Sequence, residues 1–207
     1  LVKIRLLILT LLMTNFAFSQ IDKEKAFEND IVELVEEMEF MYGYDQTLRK
    51  YMIYRTFDKS ETNRIENLPD SLKSKEIAEK KIKSDSLAKN IWKNYINPKD
   101  SEHTKRLIEI TKKYGFPSVK RIRKYYVKDF VDSEFNPFLI FIHSPKEYFD
   151  EIENLMRVEL ENDRISKCHW GYLLWHINGR KSIQPMLDNG YELVEENGKN
   201  HLKSTCE

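Results

Sequence analysis

Apolar side chains return every three or four positions along most of this chain, and that spacing restricts it to helices that each bury one stripe. Phe27, Ile31, Leu34, Met38 and Met41 set the first stripe, over residues 22–41. Gly43 is expected to interrupt it, with Asp45 capping a second helix through Leu48, Tyr51 and Met52 to about residue 57. Residues 58–69 are polar and end in Leu68-Pro69, which predicts a loop. A long charged helix is expected from Asp70, with Ile77, Ile82, Ile91, Trp92 and Tyr95 on its stripe and Asn97-Pro98 as its stop. Residues 101–114 carry a further helix. Tyr114-Gly115-Phe116-Pro117 reads as a helix stop, with Gly115 in the left-handed turn and Phe116 folded back on the helix before it.

The apolar run Phe138–Ile142 is too short for its period to separate helix from strand. Ser144-Pro145-Lys146-Glu147 has the form of a capping box with proline at the first helical position, opening a helix with Phe149, Ile152, Leu155, Met156 and Leu160 inward. Ser166 starts another helix that Gly179 ends. Residues 191–195 and 199–203, separated by Glu196-Asn197-Gly198, can form a small hairpin. The expected fold is therefore mainly α, a multi-helix array with a small C-terminal β-hairpin.

Residues 1–19 have the order of a cleavable export leader: Lys3 and Arg5, then the apolar run Leu6–Met13, then Ala17-Phe18-Ser19. Thr14 and Asn15 break that run short of the ~20 apolar residues a spanning helix needs. Cleavage after Ser19 leaves residues 20–207 as a single helical domain without a membrane span, periplasmic or extracellular. Losing Lys3 and Arg5 leaves 32 basic against 34 acidic side chains, a formal charge of −2. Nothing global then draws the chain to nucleic acid or anionic lipid. A basic and aromatic segment, Lys112-Lys113 and Lys120 to Lys128 with Tyr114, Phe116, Tyr125 and Tyr126, could grip phosphates, but a solvated helical face accounts for it more simply.

Cys168 and Cys206 are the only cysteines. In an exported chain they can pair, or they can remain one semi-buried and one loose thiol. No pair of cysteines has zinc-ligand spacing, and His169 and His176 stand two helical turns apart, too far for one metal. No metal or cofactor is expected.

Four features in order give the chain a family likeness: Asp45-Gln46-x-x-Arg49 after an amphipathic first helix, Tyr114-Gly115-Phe116-Pro117, an apolar run ending in His143, and Gly179 followed by Gln184. Over about residues 30–190 it resembles the bacterial family catalogued as domain of unknown function 6624. The chain departs from that pattern at Trp175-His176 and at Pro185-Met186. The resemblance implies a fold and a compartment, and no reaction.

The candidate ligand-binding residues are Asp45, Gln46, Arg49, His143 and Gln184. On a helix, Asp45, Gln46 and Arg49 fall within ~100° of one another, beside the stripe of Leu48, Tyr51 and Met52. A carboxylate, an amide and a guanidinium so placed can bind a polar ligand, or the arginine can hold an anion. The plainer account has Asp45 capping the helix and pairing with Arg49. His143, between an apolar run and an expected helix amino terminus, is the candidate catalytic base. Two functional classes follow. The preferred one is a non-catalytic periplasmic or envelope binding module for a small polar ligand or an envelope protein. The other is a hydrolase with His143 as general base and Arg49 holding an anionic substrate. No nucleophile elbow, phosphate loop or cofactor fingerprint is present.

Overall fold

The computed structural model describes the backbone of residues 2–196 and 198–206, and the side chains of residues 21–196 and 198–206. The side chains of the expected leader, residues 1–19, lie outside what is described. No helix among the described residues is long and apolar enough to cross a membrane. The fold is mainly α. The stretch read as one domain, 20–207, is distributed over two compact units, one holding residues 1–36, 108–128 and 151–207, the other residues 37–107 and 129–150.

Helix α1 runs over Val2–Tyr54 without a break. It buries Phe27, Ile31, Leu34, Val35, Met38, Met41 and Tyr42, the spacing of a continuous core-facing stripe. Gly43 does not interrupt it. One glycine costs a helix only about 1 kcal/mol relative to alanine, and the turns on both sides outweigh that. Asp45 is consequently mid-helix and caps nothing. The helix ends instead where Arg55 turns to a φ of 49°.

In the unit of residues 37–107 and 129–150, the expected loop at 58–69 contains a helix, α2 (Lys59–Glu66). Asp58 caps it, accepting from the backbone N–H of Ser60 at 2.8 Å. The sign was present in the chain: Asp58 with Glu61 three residues on is a capping pattern. Arg64 links Glu61 to Glu76, and its hydrogen bond holds the Glu61 carboxyl down to about 2.

The long helix expected from Asp70 is two, α3 (Asp70–Lys80) and α4 (Asp85–Ile91), the second restarted by Ser84, which accepts from Leu87 N–H at 3.2 Å. Neither helix has a buried residue, so no packing enforces continuity across residues 81–84. Asn97-Pro98 does not stop the chain either. A π-helical turn, Trp92–Ile96, passes directly into α5 (Asn97–Tyr114). Proline has no N–H to give and its ring would strike the carbonyl four residues back; the widened turn relieves both.

The other unit turns on Gly115, at a φ of 79°. Phe116 after it is fully buried. A short helix, α6 (Val119–Ile122), follows. Arg121, expected on a solvated face, is buried instead and caps the end of α5. Its Nη2 donates to Tyr114 O at 2.7 Å and its Nη1 to Gly115 O at 3.1 Å, with the guanidinium over the Phe27 ring and paired with Glu24 at 2.8 Å. At the same turn, the buried Glu159 carboxylate accepts from Phe116 N–H at 2.7 Å and pairs with Arg164.

The ambiguous run Phe138–Ile142 is helical, α7. The capping box after it does not form. Ser144 Oγ donates back to Phe141 O at 2.7 Å and makes no cap, and Pro145 is extended; a 3₁₀ turn, Lys146–Tyr148, leads into α8 (Phe149–Glu161). Helix α9 (Lys167–Ile177) has its expected Ser166 cap, at 3.2 Å to His169 N–H, and Gly179 leaves it at a φ of 73°. After α10 (Gln184–Leu187), strands β1 (Tyr191–Glu196) and β2 (Lys199–Ser204) pair antiparallel, Tyr191 opposite Ser204. Cys168 and Cys206 form a disulfide that ties the end of the hairpin to α9. Gly190, at a φ of 85°, leaves no room for a side chain beside either sulfur.

Two glycines make opposite predictions. Gly43→Ala meets nothing within 4 Å and is expected to stabilise the protein by about 0.5–1 kcal/mol. Gly115→Ala forces an L side chain into left-handed backbone and onto Arg164, and is expected to destabilise by more than about 1 kcal/mol. Denaturant melts of the two variants check this, and equal signs would contradict the account.

Candidate functional site

Asp45 and Arg49 lie one turn apart on α1, and the unit of residues 37–107 and 129–150 brings two further side chains to them. Asp100 comes from the first turn of α5 and His143 from the end of α7. The side chains of Asp45, Asp100 and Arg49 are 5%, 10% and 15% exposed, and that of His143 is 26% exposed. Asp45 Oδ2 accepts from Gln46 Nε2 at 2.8 Å and lies 2.8 Å from His143 Nδ1. An ionised carboxylate only accepts, so this contact puts a proton on Nδ1, and in the neutral ring it leaves Nε2 with the lone pair.

Arg49 is held less completely. Its Nη2 donates to Asp100 Oδ1 at 2.9 Å. Nε lies 3.1 Å from Asp45 Oδ1, an ion pair by distance whose alignment does not make a hydrogen bond, and Nη1 is buried with no partner among the described residues. The Trp92 ring, carried by the π turn, lies 5.2 Å from the guanidinium carbon. The two carboxylates and the one guanidinium sum to a formal −1, before His143 is counted. Burial pushes the Asp100 carboxyl above its ordinary value, against the pull of Arg49. An added anion about 4 Å from each carboxylate would meet repulsions of about 1 kcal/mol each in water and about 4 kcal/mol at an effective dielectric of 20.

The arrangement corrects one premise. His143 is the C-terminal cap of α7, its N–H bonded to Leu139 O at 3.0 Å, and is not at a helix amino terminus. Of the five candidates, Asp45, Gln46, Arg49 and His143 come together. Gln184 opens α10 in the other unit, where its Nε2 donates to Asp188 at 2.7 Å. Asp100 was not singled out in the sequence and Trp92 was expected only on a helix stripe, because little in the chain signals a pairing across 51 residues; the one hint was an acidic residue two positions past Pro98. Among the described residues no group of three or more His, Cys, Asp or Glu side chains is placed to hold a metal. His169 shares a hydrogen bond with Ser166 at 2.8 Å and His176 with Arg180 at 3.0 Å. Comparison with protein-family models, curated proteins and solved structures finds no match for this chain.

His103, 5% exposed and edge-on to Tyr44, borders this region on α5. Burial holds its proton affinity below the ordinary value of 6.5. The unfolded chain therefore binds the proton more tightly, so the stabilisation is complete above about pH 6.5 and is lost as pH falls through the lowered folded value. Melting temperature is expected to fall between neutral and about pH 5, and His103→Gln to remove up to about one proton from that slope. An unchanged slope in the variant would contradict the assignment.

Proposed function

We propose that this chain is an exported, non-catalytic binding module, periplasmic or extracellular, that holds a polar ligand at Asp45, Arg49, Asp100 and His143. The observation that carries the reading is the orphaned Nη1 of a buried guanidinium. An unsatisfied buried donor costs about 1–3 kcal/mol, which a ligand acceptor recovers on binding. The π turn that sets Trp92 beside Arg49 supports it, since such turns are frequent at functional sites. The disulfide supports the compartment, because such bonds persist in oxidising surroundings. Likeness to the family of unknown function 6624 is part of the proposal and rests on the short motifs around Asp45, Gly115 and His143.

A second reading is favoured by one distance, the 2.8 Å between Asp45 Oδ2 and His143 Nδ1. A carboxylate that orients an imidazole leaves Nε2 able to take a proton from water, the arrangement of a hydrolytic general base. In that reading Arg49 is a poor holder of anionic substrate, with Asp45 and Asp100 already beside it.

Thermal-shift screening against polar metabolites tests the proposal. A ligand at about 100 times its dissociation constant adds about 2.7 kcal/mol to stability, a shift of several degrees. It is expected in the wild type and lost in Arg49→Lys, which keeps the charge without the planar fork. A shift that survives Arg49→Lys contradicts the site. Turnover of the ligand abolished by His143→Gln, with binding retained, would favour the hydrolase. Export is tested on the same protein: a mass beginning at Gln20 in the periplasmic or secreted fraction is expected, and an intact chain in the cytosol contradicts it.

A further inference from the structure

The class of ligand follows from what Arg49 already has around it, and this step rests on the binding reading above. An anion brought to Nη1 arrives beside two carboxylates that already share the guanidinium charge. A cation faces that guanidinium and offers Nη1 no acceptor. A neutral hydroxyl answers both demands, since its oxygen accepts from Nη1 while its proton goes to a carboxylate lone pair. His143 Nε2 offers a further acceptor for a neighbouring hydroxyl. Lys99, next to Asp100 in the chain, is itself paired with Glu102 at 2.7 Å.

The second requirement is apolar. Trp92 is 38% exposed and Tyr95, on the same π turn, is 60% exposed. A partly exposed indole bordering a group that takes both donors and acceptors suits a molecule with a C–H face and a rim of hydroxyls, as a sugar ring has. We propose that the Asp45–Arg49–Asp100–His143 cluster with Trp92 is a subsite for a neutral saccharide, its hydroxyls on Arg49 and Asp100 and its C–H groups against the indole. Pairing of neutral hydroxyls with a closed ionic cluster makes binding nearly independent of salt.

Isothermal titration of the purified protein with maltotriose, cellotriose and chitotriose tests this, beside galacturonate, glucose 6-phosphate, glucosamine and uridine. At least one neutral trisaccharide is expected to bind, with affinity reduced about tenfold or more by Trp92→Ala and by Arg49→Lys, and unchanged by added salt. Trp92→Ala alters a partly exposed side chain, so its unliganded melting curve serves as the folding control. Arg49-dependent binding of the anions, the amine or uridine without the trisaccharides overturns the saccharide class and leaves the binding site standing. Absence of any Arg49-dependent binding overturns both.

Discussion

The Asp45 carboxylate, buried in the C-terminal part of α1, is the constraint on which its unit depends. It takes a hydrogen bond from Gln46 and another from His143, and it faces Arg49, which reaches on to Asp100. Through these contacts one side chain ties α1 to α5 and to the end of α7. Removing one partner from such a buried charge group costs about 3–5 kcal/mol, because the charge left behind has lost its compensation. The same carboxylate that organises the helices therefore also sets the tautomer of His143 and the tilt of Arg49. Structure and any recognition at this place cannot be separated chemically.

The other unit solves an equivalent problem with different parts. The turn at Gly115 leaves the last carbonyls of α5 and the Phe116 N–H without helical partners. Arg121 takes the carbonyls and Glu159 takes the N–H. Neither charged residue is at the surface, although both belong to types that favour it. Here every strong donor and acceptor of the clip is answered from within the chain, which distinguishes it from Arg49 with its idle Nη1.

Helix was legible where a long stretch packs inward: residues 27–42, 149–160 and 167–177 show the period because their packing demands it. The Gly115 and Gly179 turns and the hairpin were legible because each needs a particular backbone conformation. The errors fell where local signals met stronger neighbours. Gly43 and Pro98 are nominal breakers inside helices that continue, one outweighed by the turns beside it and the other absorbed by a π turn. Ser144 had a local acceptor in Phe141 O and so made no cap. Within the site, Asp45 and Arg49 were visible as an i,i+4 pair on one helix, whereas Asp100 and Trp92 join them only through the tertiary fold.

Nitrogen NMR of the His143 imidazole, recorded at alkaline pH where the ring is neutral, tests the role of Asp45 most directly. The account predicts that the wild-type ring carries its proton on Nδ1, and that Asp45→Asn releases it to the Nε2 form favoured by free imidazole side chains. A wild-type ring already protonated on Nε2, or a tautomer indifferent to Asp45→Asn, would contradict it.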